Sequence, residues 1–214
     1  MNFIEFISNC CAKWLASKVP NKIYPSVDDQ IEVYSYGFMV IVGALAKGFL
    51  LVSIASVLGV LIPAMIITLT FTSLRVIAGG FHLKTFRACM IISITQFIAS
   101  AFTVQYTYNY WTYINIYSLL LFSTFTALYI IIRYVPRDTI NKPIVEPYKI
   151  RKFKNWSLYY LLLWMFTMII FTIVGWKLIV LSSCFGLLLE LFSISKLGQR
   201  IYKKLDTPNI LIIK

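Results

Sequence analysis

Long apolar runs separated by short polar breaks dominate this chain. Residues 88–106, 114–132, 156–174 and 178–195 each form such a run. A helix needs about 20 predominantly apolar residues to cross the hydrocarbon core of a bilayer. The last two runs are separated only by Gly175-Trp176, which reads as a tight turn. Residues 33–74 are long enough for two spans, and only Lys47, Gly48, Gly59 and Pro63 punctuate them. A break near residues 57–63 divides that stretch more evenly than one near Lys47. The pattern therefore predicts an all-α polytopic membrane protein with about six transmembrane helices.

Residues 1–20 follow a different pattern. Phe3, Phe6, Ile7, Cys10, Trp14 and Leu15 recur at three- and four-residue steps, with Glu5, Lys13 and Ser17 toward the other side. This predicts an amphipathic helix lying along a membrane surface or packed on partner helices. The segment lacks the basic start and unbroken apolar core of a cleavable signal peptide. The whole chain is expected to form one membrane domain, 1–214, with a basic loop at 133–155 and a tail at 196–214.

Composition strengthens this picture. Of 214 residues, 59% are apolar and 13% charged, whereas soluble domains run nearer 45–50% and about 25%. The net charge of +12 finds its explanation in topology and in attraction to anionic lipid. A nucleic-acid partner would require a soluble basic face, which the pattern lacks. Arg133, Arg137, Lys142, Lys149, Arg151, Lys152 and Lys154 crowd one connection, and Lys196, Arg200, Lys203, Lys204 and Lys214 the tail. Residues 105–113 carry no charge and several tyrosines, as an outer interface would. Both basic segments are therefore expected in the cytoplasm of a cell-membrane protein, together with Arg75, Lys84 and Arg87 and both termini.

Chemistry concentrates in residues 75–89. This stretch holds His82, the single histidine, and Cys89, seven residues later at the start of a span. A thiolate attacks carbonyls, and an imidazole can take the thiol proton. Arg75, Lys84 and Arg87 would stabilise the resulting negative charge. In one unbroken helix the two backbones would lie about 10 Å apart, too far for a hydrogen bond of roughly 3 Å. The pair thus requires a bend before Cys89, for which Gly79-Gly80 is the natural place, or pairing across a dimer. One histidine and four scattered cysteines fit no metal site, so neither metal nor cofactor is expected. Cys184, inside a span, reads as a packing residue. Glu190, a lone acid in the last span, is a functional candidate by its position, or a partner for Lys196 or Arg200.

Arg75, Gly80, His82 and Cys89, with the apolar span that follows, resemble the accessory gene regulator B family. So do Glu32 with Tyr36-Gly37, and the Pro-containing segment 136–144 ending in Lys142-Pro143-Ile144. The resemblance implies a membrane cysteine endopeptidase of quorum sensing. Cys89 would be its nucleophile and His82 its general base. Arg75 would hold a substrate carboxylate or orient backbone, Gly80 would permit the turn, and Glu32 would have a supporting role. The implied substrate is a short propeptide with an amphipathic start and an acidic C-terminal tail, for which Lys142, Lys149, Arg151 and Lys152 are candidate contacts. Cleavage through a thioester would allow cyclisation to a thiolactone or lactone, and a homodimer is the favoured assembly. No residue obviously orients His82, Asp138 being the one candidate in the loop. The main competing function is a non-catalytic carrier that exports a small peptide, although no inverted repeat is evident; a membrane acyltransferase or lipid-modifying enzyme using His82 is a second, although paired acids are missing near the motif.

Overall fold

A computed structural model describes residues 3–19, 26–81, 83, 86–136 and 146–205. Among them the chain forms eight α-helices and one short 3-10 turn. The helices are α1 (Phe3–Lys18), α2 (Val27–Val57), α3 (Leu61–Ala78), α4 (Phe86–Thr107), α5 (Tyr113–Tyr134), α6 (Pro147–Val174), α7 (Lys177–Ile194) and α8 (Lys196–Leu205). Six of them, α2 to α7, are long and apolar enough to cross a membrane. All-helical spans satisfy every backbone group internally, the condition that hydrocarbon imposes. This is a multi-pass membrane protein, as the apolar runs predict.

The chain divides into two compact units, Met1–Ser53 and Ile54–Lys214. In the first, the N-terminal segment is helical, as its periodicity requires. Asn9 of α1 meets Ser35 of α2 through a side-chain hydrogen bond, and the Gln30 amide donates to the Val19 carbonyl at 3.3 Å. Ser26 caps α2: its Oγ accepts the Asp29 amide at 3.0 Å and donates to the Asp29 carboxylate at 2.7 Å. This satisfies one of the helix's orphan amides and places an acid at the positive end of the dipole.

The second unit is built around α7. Apart from Lys177 at its start and Glu190, its residues are apolar or small on every side, and Val180, Leu181, Cys184, Leu187, Leu191 and Ile194 are all buried. A helix apolar all round belongs in the middle of a bundle. Cys184 is fully buried, which agrees with a packing role. Gly186 lets α3 and α7 approach closely, since a Cβ there would lie 2.5 Å from the Ile67 carbonyl oxygen. Small residues and interhelical hydrogen bonds hold membrane helices together where lipid removes the hydrophobic drive. Thr70 Oγ1 and Ser183 Oγ stand 3.1 Å apart, and the Trp164 indole donates to Ser183 Oγ at 2.7 Å. Large apolar side chains on the outer faces, among them Phe122, Phe125, Leu163 and Phe166, are exposed, as faces that a bilayer covers would be.

Both ends of the bundle follow from its turns. At one end Gly175 takes a left-handed φ of 88° and closes the expected tight turn between α6 and α7. Lys177 there donates to the Trp111 carbonyl at 2.9 Å and sits over the Tyr113 ring. At the other end lie the last turns of α3, α5 and α7 and the first turns of α4 and α6. The break within 33–74 falls at residues 58–60, where Gly59 has a φ of 69°.

Two expectations need correction. The basic stretch 133–155 is not all loop, because α6 begins at Pro147. Lys149, Arg151, Lys152 and Lys154 therefore project from the first two turns of a helix. Proline at the first helical position lacks only an amide that had no partner anyway. The segment from Lys196 is likewise a helix, α8, as far as Leu205.

Candidate functional site

Between α3 and α4 the described residues Gly79, Gly80, Phe81 and Leu83 are not helical, and α4 starts only at Phe86. The chain is therefore not one straight helix into Cys89, as Cys–His chemistry in one protomer demands. Cys89 is the fourth residue of α4 and is partly exposed. Its carbonyl accepts from Ser93 Oγ at 2.7 Å. A thiol in the first turn lies at the positive end of the helix dipole. His82 falls outside the described residues, as do Lys84, Asp138 and Lys142.

The two glycines divide their tasks differently from the expectation. Gly79 has a φ of 76° and makes the turn that ends α3; its amide donates to the Arg75 carbonyl at 2.9 Å. Gly80 has no left-handed backbone and serves by lacking a side chain. A Cβ there would lie 2.6 Å from Arg75 Nη1, 2.8 Å from Ser193 Oγ and 2.9 Å from Glu190 Oε1. The role expected of Gly80, permitting the turn, belongs to Gly79.

What Gly80 packs against is a buried ion pair. Arg75 Nη1 donates to Glu190 Oε2 at 3.0 Å and to Ser193 Oγ at 2.9 Å. Its Nη2 donates to the Phe81 carbonyl. The guanidinium also stands 5.3 Å from the Phe71 ring centre. The Glu190 side chain is fully buried and that of Arg75 is 18% exposed. Arg75 thus turns inward, bonded to Glu190, Ser193 and the Phe81 backbone. Glu190 pairs with Arg75 rather than with Lys196 or Arg200. Its Oε1 accepts no hydrogen bond among the described residues.

Four further side chains complete this end of the bundle. The Phe81 ring stacks parallel on Tyr202 of α8, with centres 6.0 Å apart, and Phe192 meets Tyr202 edge-on. The Tyr202 hydroxyl donates to Gln96 Oε1 of α4 at 3.0 Å. Burial pushes that hydroxyl above its ordinary pKa, so it stays a donor. Among the basic candidates, Arg151 and Lys152 are exposed, while Lys149 bonds Glu146 at 2.8 Å and Lys154 bonds the Ile132 carbonyl at 2.6 Å. Glu32 belongs to the other unit, as an exposed residue on α2. No group of three or more metal-binding side chains occurs among the described residues.

The family profile described as Accessory gene regulator B matches residues 8–194, most of the chain. The chain belongs to the accessory gene regulator B family. Among relatives, the AgrB-like protein 2 of Clostridium perfringens strain 13 is 24% identical over 207 residues, covering 92% of this chain and 95% of its own. A second AgrB-like protein, from strain SM101 of that species, is 23% identical over 207 residues with the same coverage. The accessory gene regulator protein B of Staphylococcus intermedius is 32% identical over 119 residues, 55% of this chain and 59% of its own. No solved structure matches. Membership places the protein in accessory gene regulation, the quorum-sensing system of the family name. Ser193, Gln96 and Tyr202 escaped sequence reasoning. Glu190 could have been paired from sequence: it lies four residues before the end of α7 and Arg75 three before the end of α3. Equal depth in two parallel spans, with opposite charge, was the available signal.

Proposed function

We propose that this AgrB-family protein is a membrane cysteine endopeptidase that cleaves the C-terminal tail from a quorum-sensing propeptide. The observation that carries the reading is the interruption of the helix just before Cys89. A thiol at a helix start follows a segment whose described residues, Gly79, Gly80, Phe81 and Leu83, are not helical; Arg75 anchors it through the Phe81 carbonyl, and the single histidine of the sequence stands next to Phe81. Such a connection gives an imidazole the freedom to approach a sulfur that a continuous helix denies it.

In this mechanism His82 takes the Cys89 proton, and the sulfur attacks the carbonyl carbon at the end of the signal segment. The carbon–nitrogen bond breaks, and the imidazolium gives its proton to the departing amine of the tail. A thioester to Cys89 remains. A thiol or hydroxyl within the bound peptide then attacks the same carbon, frees Cys89 and closes a thiolactone or lactone. Thioester exchange is nearly energy-neutral, so the ring-closing step depends on excluding water from the membrane boundary. Arg151 and Lys152, exposed at the start of α6, attract the acidic tail, with Lys142 and Lys149 as further contacts. The site and both termini face the cytoplasm, where the basic residues gather. Two chains associate as a homodimer in the lipid.

Co-expression with the propeptide encoded beside the gene tests this reading. Mass spectrometry of the wild type should show tail release, and a covalent adduct at Cys89 under trapping conditions. Cys89→Ala and His82→Ala should each leave the precursor intact. Release that persists in both variants would remove the thiol–imidazole engine. An uncut precursor in the wild type would favour the carrier.

A further inference from the structure

Helix α8 lies beyond the matched family region, which ends at residue 194, yet it reaches into the site. Gly198, Gln199 and Tyr202 form its buried face. Gly198 has no room for a side chain, since a Cβ there would lie 1.9 Å from the Phe192 carbonyl oxygen. This tight seat fixes α8 against the end of α7. From it Tyr202 makes two contacts on either side of the nucleophile. Its ring stacks on Phe81, in the connection that precedes Cys89. Its hydroxyl bonds Gln96, seven residues after Cys89 and therefore on the same face of α4.

We propose that Tyr202 is a positioning residue for the reaction at Cys89, holding the Phe81 segment and α4 in fixed register from the C-terminal helix. The inference rests on the endopeptidase reading above. Tyr202 touches neither thiol nor substrate in this role. It sets the distance between the two chain segments that carry the reacting groups, and a looser register lowers turnover rather than binding.

Propeptide cleavage by the full chain in lipid vesicles, with kcat and KM measured separately, tests it. Tyr202→Phe keeps the ring and loses one hydrogen bond, so kcat should fall about two- to tenfold with KM unchanged. Tyr202→Leu loses the ring stacking as well, and kcat should fall about ten- to a hundredfold. Gln96→Leu should match Tyr202→Phe, and the double variant should be no worse than either single, because both remove the same bond. If Tyr202→Leu does not fold, the Phe and Gln96 variants carry the test alone. Wild-type kcat in Tyr202→Phe and Gln96→Leu, a loss residing in KM, or additive effects would overturn the proposal. A wild type that leaves the propeptide uncut would instead sink the endopeptidase reading. The rate of Cys89 alkylation, in a chain carrying Cys10→Ser, Cys11→Ser and Cys184→Ala, separates the two failures. It changes in Tyr202→Leu if the register is held as proposed and stays constant if it is not.

Discussion

Breaking the pair that Arg75 makes with Glu190 is the sharpest perturbation of this structure, and Glu190 is the simpler half to remove first. Its carboxylate is fully buried and lies 3.0 Å from Arg75 Nη1. Breaking a buried pair by deleting one partner typically costs about 3–5 kcal/mol, because the other charge is left without compensation. The two partners should not cost the same. In Glu190→Ala the stranded group is Arg75, whose side chain is 18% exposed, so water relieves it and the loss should be about 2–3 kcal/mol. In Arg75→Ala the stranded group is a carboxylate with no exposure, and the bonds to Ser193 and the Phe81 carbonyl go too. That loss should reach the upper part of the range, about 4–5 kcal/mol. Replacing both residues with methionine removes the charges together and should return stability to within about 1 kcal/mol of wild type. Activity should not return, since nothing then donates to the Phe81 carbonyl. Unfolding in detergent micelles, followed by helical circular dichroism, measures the first three numbers, and propeptide cleavage the fourth. A more damaging Glu190→Ala than Arg75→Ala, or a double-methionine variant that cleaves at the wild-type rate, would refute the reasoning.

Other expectations follow from the glycines. Gly80→Ala places a methyl 2.6 Å from Arg75 Nη1 and 2.9 Å from Glu190 Oε1; the pair must shift, at about 1–3 kcal/mol, and cleavage should fall more than stability does. Gly79→Ala demands a φ of 76° from a residue with a Cβ and should cost about 1–3 kcal/mol, read by the same unfolding assay. Gly186→Val meets the Ile67 carbonyl, already 2.5 Å from a simple Cβ position. It should separate α3 from α7 and lower the unfolding midpoint more than Gly48→Ala, where no atom lies within 4 Å.

The spans were legible in the sequence because a bilayer imposes a length on apolar runs, and the turns at Gly59 and Gly175 fell at glycines that interrupt those runs. The same rule hid the ends of the helices. Hydropathy marks where a helix leaves hydrocarbon, not where it stops, so the basic residues from Lys149 to Lys154 looked like loop although Pro147 is a recognised helix opener. Helix α8 was obscured in the same way, being only ten residues long and rich in lysine. The site divides along a different line. Cys89, Arg75 and the glycine pair all fall within residues 75–89, where local chemistry stands out. Glu190 meets Arg75 across 115 positions and Tyr202 meets Gln96 across 106, separations that no local pattern encodes. Two adjacent glycines cannot be told apart by composition either: one is required by a backbone angle, the other by the volume of a guanidinium. Reading the region as a motif therefore finds the candidate thiol and its neighbours but not what holds them. The holding is done by α7 and α8, whose contribution becomes visible only when a fully buried acid must have a partner and the arginine at matching depth supplies it.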